Sequence, residues 1–439
     1  DDIDEYGYSN SIYDFDSYKD VSEDKVGIIT GDIQLNKEAP CLILTTEILR
    51  TMIYDNDPIL QELDCVVFDE IHYMNDPERG RVWEEVITLL PDHVVMLFLS
   101  ATTPNSMEFS EWVGRERNKN VYVVSTTKRP IPLEHYIHIG THDVDLVKYY
   151  KNDEELKTEY LDKLDPKQVN ISEEIEKIEK MKFTKTKLKD EIPLELEKSD
   201  GMYLLVDKDN NFNELYQKEV RDIINEKSTN NFKSALSFNQ AKHHWLSIFK
   251  LLEIKQKFPV VVFVFSKKMC ITLTEHLSNN DYTYKREKSH IKVFIDKCLS
   301  RLKPDDRTLP QILTTTELLM RGIAIHHGGL LPILKEMTEI LFQRGFIRIL
   351  FATETFAMGI NMPTRCVIFN SISKHDGQHF RNLLPGEYTQ MSGRAGRRGL
   401  DDVGTVIVTH WKPNNTNYKK LISGKPLMLS SKFRLTYQT

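Results

Sequence analysis

The 439 residues hold no apolar run long enough to cross a bilayer. The longest, VVVFVF at 260–265, is far too short for a spanning helix, so no membrane role is expected. No basic-then-apolar leader opens the chain, and secretion is not expected either. Cysteine is scarce, at five residues (Cys41, Cys65, Cys270, Cys298 and Cys366), and none forms a CxxC pair. An odd number cannot complete a disulfide set, and three of the five sit in apolar, strand-like runs. Buried reduced thiols in an intracellular protein are the expectation, rather than metal ligands. Positive charge is not in excess, since the net charge is −7. The deficit lies in residues 1–24, where nine acids face only Lys19. That segment reads as an acidic tail or surface insertion, and the remainder stands at +1. A body so close to neutrality neither supports nor excludes a nucleic-acid partner. Finally, G-x-x-x-x-G-K-[ST], the loop that cradles nucleotide phosphates, occurs nowhere. The one Gly-Lys pair, Gly424-Lys425, is followed by Pro426.

What is present is a rhythm. From 26 to about 140, short β-branched runs (VGIIT, CLILTT, CVVFDE, VVMLFLSAT, VYVVST) alternate with helical spacing such as 47–52 and 83–87. Apolar strands alternating with helices predict a parallel sheet covered on both faces. Roughly half of positions 150–200 are Lys, Arg, Asp or Glu, which predicts a solvated connector over 141–240. The α/β rhythm returns from about 241 with VVVFVFS, IAIHHG, IRILFAT, CVIFNS and GTVIVTH. The expectation is therefore an α/β chain: a partial first domain over 25–140, the connector, a second domain over 241–420, and a further region beginning at 421.

Three stretches carry chemistry. CVVFDEIH puts Asp69 and Glu70 at the end of an apolar strand, where parallel α/β sheets bind ligands. Asp69 is placed to hold Mg²⁺ through water, and Glu70 to orient and deprotonate an attacking water. Ser100-Ala101-Thr102 ends another apolar strand and is uninformative alone. QMSGRAGRRG at 390–399 sets Arg394 and Arg397 three apart among glycines, on one face of a short helix or turn. Planar guanidinium groups there suit a developing phosphoryl charge, or else a basic RNA-binding loop. His326-His327 has no partner at metal-ligand spacing. Tyr13 and its aromatic neighbours stand among acids that would repel phosphates.

Together with FATETFAMGIN at 351–361, these stretches resemble, in their order, the motifs of superfamily-two helicases: DEIH, SAT, ATETFAMGIN and QMSGRAGRRG. RGRVWEEVI (79–87), PNSMEFSEWVG (104–114), KRPIPLE (128–134) and HHGGLLPILKE (326–336) are similar to the DExH exosome-associated RNA helicases. REKSHIKVFIDKCLSRL (286–302), SISKHDG (371–377) and SKFRLTY (431–437) resemble the superkiller, or Ski-complex, group within them.

The resemblance implies two RecA-like domains and ATP with Mg²⁺ as cofactors. It implies a nucleotide site drawing on Asp69, Glu70, Gly359, Asn361, Gln390, Arg394 and Arg397, with His72 acting beside the acids. Ser100 and Thr102 would couple that site to RNA, which Thr45, Thr46, Glu47, Thr353 and Thr355 would contact. It further implies a strand-separating hairpin near 368–384 and 3′-to-5′ unwinding of single-stranded or 3′-tailed RNA for an exosome. The implied partners are the tetratricopeptide and WD-repeat subunits of the Ski complex and the RNA exosome, in the cytoplasm or, for the nuclear relatives, the nucleus. SKFRLTY would begin a winged helix. The missing phosphate cradle departs from the family's pattern and leaves two readings. One is an internal stretch of a working helicase. The other is a non-hydrolysing RNA-binding or scaffold relic. The intact set Asp69, Glu70, Gln390, Arg394 and Arg397 favours the first, because a relic has no physical need of them. A related DNA helicase is the further alternative.

Overall fold

The structure, a computed structural model, describes residues 25–31, 33–100, 103–126, 128–140, 201–229, 238–357, 362–411 and 416–432. Thr102, Gly359 and Asn361, the acidic opening segment with Tyr13, residues 141–200 and most of SKFRLTY lie outside them. The chain forms two compact units. The first takes in Asp1–Lys128, Leu384–Glu387 and Lys420–Thr439, and the second Arg129–Leu383 and Tyr388–Lys419.

The first unit runs β1 (Val26–Ile29), β2 (Gln34–Leu35), β3 (Cys41–Leu44), α1 (Thr46–Tyr54), α2 (Ile59–Glu62), β4 (Cys65–Phe68), α3 (Gly80–Leu89), β5 (Val95–Phe98) and α4 (Ser106–Arg117). β1 pairs parallel with β3 and antiparallel with β2, while β4 pairs parallel with β5. α3 turns Val82, Trp83, Val86 and Ile87 inward at helical spacing, and Trp83, Val86 and Ile87 join Leu49 and Phe68 in one core. Glu85, on the same helix, is also buried; Arg81 at 2.5 Å, Arg50 at 3.3 Å and the Tyr54 hydroxyl at 3.3 Å bind it.

Two expectations fail here. The strands are buried on one side only: Ile43, Val67, Val95 and Leu97 point to solvent, as do Cys41 and Cys65. The alternation of pleated side chains exposes every second residue of a run that is apolar throughout. VYVVST (121–126) forms no strand, and Tyr122 and Val124 are almost fully exposed. Intrinsic β preference does not hold a segment without a neighbour to pair with.

The second unit contributes β6 (Leu133–His138), β7 (Met202–Val206), α5 (Glu214–Thr229), α6 (Phe238–Ile254), β8 (Val260–Phe263), α7 (Lys267–His276), α8 (Lys285–Leu299), α9 (Pro310–Met320), β9 (Ile323–His326), α10 (Pro332–Gln343), β10 (Ile349–Ala352), β11 (Cys366–Phe369), β12 (Ser373–His375) and β13 (Phe380–Asn382). It is completed by β14 (Gly404–Thr409), while α11 (Pro385–Ser392) and α12 (Tyr418–Ser423) are divided between the two units. Its seven-stranded sheet is ordered β7-β6-β14-β11-β8-β10-β9, parallel except for β7. β8 to β11 and β14 are buried throughout, as expected of strands covered on both faces.

The domain boundaries differ from those expected. β6 pairs with β14 from Leu133↔Gly404 to Thr409↔His138, so 129–140 belongs to the second unit. β7 and α5 bring 202–229, expected as connector, into that unit as well. Such pairing spans most of the chain and leaves no local mark in composition. Residues 420–432, expected to open a further region, pack on the first unit, where Leu429 touches the core around Trp83.

Candidate functional site

Asp69 and Glu70 follow β4 at its carboxyl end. The turn that carries them is zipped to the end of β5: Leu99 N–H donates to the Phe68 carbonyl at 2.9 Å, and Ile71 N–H to the Leu99 carbonyl at 2.9 Å. Ser100 is therefore brought beside the acidic turn. Asp69 Oδ1 accepts from the Glu70 N–H at 3.0 Å, and its side chain is exposed. Glu70 has φ 56° and ψ 48°, a left-handed backbone that costs a side-chain-bearing residue about 1–3 kcal/mol. His72, in the short 3₁₀ segment Ile71–Asn75, stacks on Tyr73 and brings Nδ1 to 3.3 Å from Glu70 Oε2. Two adjacent carboxylates, one exposed and one half-buried, fit Mg²⁺. That ion takes one or two protein carboxylates and completes its shell with water and phosphate oxygens. Among the described residues no three His, Cys, Asp or Glu side chains gather into a metal cage, and His326-His327 does not form one.

Thr45 and Thr46 open α1, and Glu47 stands in its first turn. Arg79 grips the Glu47 carboxylate, Nε to Oε1 at 2.7 Å and Nη2 to Oε2 at 3.2 Å. Burial pushes the Glu47 carboxyl up, but the hydrogen bonds from Arg79, its own backbone N–H and Thr45, together with the Arg79 charge, outweigh burial and leave it below the ordinary range. Glu47 is thus engaged by a cation on the segment leading into α3. Sequence reading missed Arg79, although it lies within the quoted RGRVWEEVI.

In the second unit, Gln390 sits in α11, and the arginines follow in a tight turn rather than a helix. Gly396 has φ +89°, and a Cβ there would lie 2.4 Å from the Ile131 side chain, so only glycine fits. The turn is pinned two residues before β11: Thr364 N–H donates to the Arg394 carbonyl at 2.8 Å, and Gly396 N–H to the Thr364 carbonyl at 2.7 Å. Arg394 Nη2 donates to the Ala357 carbonyl, which joins the arginine turn to the ATETFA segment. Arg397 forks Asp401, Nε to Oδ2 at 2.8 Å and Nη2 to Oδ1 at 2.9 Å. Gln390 Nε2 is buried without a hydrogen-bond partner, a donor that suits a bound polar ligand. Arg129, in KRPIPLE, donates from Nη2 to the Gly393 carbonyl at 3.2 Å, and burial lowers its pKa.

Thr353 and Thr355 meet through their hydroxyls at 2.9 Å, just past the end of β10. Between them, Glu354 binds Lys374 of β12 at 2.6 Å. β12 and β13 form an antiparallel hairpin, Ser373↔Asn382 to His375↔Phe380, inside the expected segment 368–384. Asp401, Arg365 and Lys374 are further residues that sequence reading did not single out. Asp401 follows the arginines by only a few positions and was the most accessible to it.

The family model for the DEAD/DEAH box helicase matches residues 14–109, and that for the helicase conserved C-terminal domain matches residues 304–399. These matches and the parallel α/β sheets agree with two RecA-like domains. The chain is 44% identical over 426 residues to superkiller complex protein 2 of Homo sapiens, covering 94% of this chain and 30% of that protein. It is 44% identical over 431 residues to the antiviral helicase SKI2 of Saccharomyces cerevisiae, covering 96% of this chain and 33% of that one. Against the exosome RNA helicase MTR4 of Mus musculus it is 38% identical over 426 residues, covering 96% of this chain and 36% of that one. The chain therefore spans about a third of the length of the curated relatives it matches. Along nearly its whole length it is a relative of the superfamily-two DExH exosome-associated RNA helicases, the superkiller helicases among them.

Proposed function

We propose that these two units serve an ATP-dependent RNA helicase that moves 3′ to 5′ and delivers RNA to an exosome. The observation that carries the reading is the Asp69–Glu70 turn: two carboxylates at a strand's carboxyl end, the second held in a strained backbone conformation. Asp69, with Glu70 beside it, would hold Mg²⁺ through water; when bound, that ion neutralises phosphate charge. Glu70 orients the attacking water and takes its proton. Gln390 supplies a buried donor to the nucleotide, and the resemblance adds Gly359 and Asn361 to its contacts. Arg394 and Arg397 stabilise the phosphoryl charge, a contribution on the order of 10³–10⁵ in rate for such an arginine.

On the RNA side, the N–H groups at the start of α1 and the Thr353–Thr355 hydroxyls bind phosphates without reading bases. Ser100 and Thr102 couple the two tasks, and the β12–β13 hairpin parts the strands. The higher identity to superkiller proteins than to MTR4 supports a cytoplasmic Ski-type assembly, with tetratricopeptide and WD-repeat partners.

The test is Glu70→Gln in the full-length protein. The amide keeps the side chain's size and removes the base. RNA-stimulated ATP hydrolysis is expected to fall by about 10²–10⁴-fold while ATP binding persists. Turnover at the wild-type rate would take the base role away from Glu70.

A further inference from the structure

Asp401 binds two arginines at once. Its Oδ2 accepts from the Arg397 backbone N–H at 3.0 Å and from Arg397 Nε at 2.8 Å. Its Oδ1 accepts from Arg397 Nη2 at 2.9 Å and from Arg365 Nε at 2.7 Å. The carboxylate is only 4% exposed. Burial pushes its pKa up, but the bonds from Arg397 and Arg365 outweigh burial and bring it down to about 2. The group is therefore ionised at any working pH.

Asp401 is itself held from the sheet. Arg365 immediately precedes β11, donates from Nη1 to the Gln256 carbonyl at 2.6 Å, and stands next to Thr364, which pins the arginine turn. Arg397 sits on a flexible stem with many accessible rotamers. The fork to Asp401 takes up that freedom in advance. One carboxylate shared by two guanidinium groups leaves those three groups together net positive.

We propose that Asp401 is the positioning residue for Arg397: it fixes the guanidinium in one orientation toward a phosphoryl oxygen, and Arg365 fixes Asp401. This rests on the reading of Arg397 as a residue that stabilises nucleotide charge. The alternative role for Asp401 is purely local, because its bond to the Arg397 N–H also closes the turn.

The two roles separate in a double-mutant cycle on the full-length protein, read as kcat and KM for RNA-stimulated ATP hydrolysis alongside thermal melting. Asp401→Asn keeps an oxygen for the backbone N–H and removes the charge that orients the fork. It is expected to lower kcat by about tenfold or more, with KM for ATP within about twofold. In an Arg397→Ala background the same change is expected to have less than about a twofold effect on kcat, because there is no guanidinium left to orient. An unchanged kcat in Asp401→Asn overturns the proposal, and so does an equal loss in both backgrounds. If Arg397→Ala itself leaves turnover intact, the reading of Arg397 fails instead, which is a distinct result. Should Asp401→Asn not fold, Asp401→Glu replaces it, retaining charge but moving the carboxylate. Its kcat deficit must likewise vanish with Arg397→Ala, and a deficit that persists overturns the proposal.

Discussion

Buried histidines set how the second unit meets acid. His135 Nδ1 lies 2.7 Å from the Tyr388 hydroxyl; burial, with a smaller push from Arg129, lowers its pKa to about 3. His410 bonds the Tyr418 hydroxyl, and burial lowers its pKa to about 4. Burial lowers His276 and His327 too. In each case the unfolded chain binds a proton that the folded chain refuses. Stability is therefore complete above the ordinary histidine pKa of about 6.5 and falls as pH drops from there toward about 4, by up to about 1.4 kcal/mol per pH unit for each of His135 and His410. The Asp401 pKa is lowered as well, but from the ordinary carboxylate value, so it keeps its contribution throughout that window and loses it only as pH falls from about 3.8 toward about 2. Urea midpoints at about pH 7 and pH 5 check this, and a midpoint that does not move would show these rings protonating inside the fold. None of these pairings was legible in the sequence, since His135 and Tyr388 are 253 residues apart. Asp69, Glu70, Gln390, Arg394 and Arg397 could be singled out in the sequence because each sits in a short motif whose residues are close along the chain. The left-handed backbone of Glu70 was not legible, because it follows from the zipping of β4 to β5.

Among the elements, the segment 429–432 shows what a linear reading cannot reach. Asn105 binds Leu429 on both sides of the peptide unit, Nδ2 to its carbonyl at 3.0 Å and Oδ1 from its N–H at 2.8 Å. Ser430 N–H donates to Asn75 Oδ1 at 3.0 Å. Glu84 accepts from the Ser431 hydroxyl at 2.7 Å and from the Lys432 N–H at 2.6 Å. Three polar side chains of the first unit thus hold this strap largely through its backbone, so its own residues carry little signal. One of the three, Asn75, ends the 3₁₀ segment that begins just after Glu70. Glu84→Ala removes the carboxylate that accepts from the exposed Ser431 hydroxyl and the half-buried Lys432 N–H, a loss of about 0.5–1.5 kcal/mol per bond where water can replace it. Hydrogen exchange at Ser430–Lys432 is expected to speed up while exchange in β8 and β11 stays unchanged. Unaltered exchange in the strap would mean that Asn105 and Asn75 alone retain it. β1, β3, β4, β5, β8 to β11 and β14 were legible from their β-branched runs; β2, β6 and β7 were not, and 121–126 was read as a strand that does not form. The membership of β6 and β7 in the second sheet was not legible, because it is fixed by partners more than 60 residues away.

For the whole molecule, the first unit's exposed strand faces matter most. Val67 and Leu97 are register partners on β4 and β5, both about half exposed, and Val95, Leu99 and Ile43 are exposed to a similar degree. A two-stranded parallel pair is marginal alone, and contiguous apolar strand faces in water drive association. The described residues include no helix long and apolar enough to cross a membrane, so these faces do not belong to a spanning helix. The 439-residue chain is expected to self-associate as its concentration rises and to bind the dye ANS. Both effects should weaken in Val67→Thr/Leu97→Thr, which keeps strand preference and removes apolar area from directly opposed positions. Sedimentation velocity over a concentration series reads the first effect and ANS fluorescence the second, with the circular dichroism of the variant showing that the sheet survives. A self-association that the double substitution leaves untouched would place the sticky surface elsewhere, and a wild-type chain that stays monomeric and dark to ANS would mean that these strand faces are covered in solution.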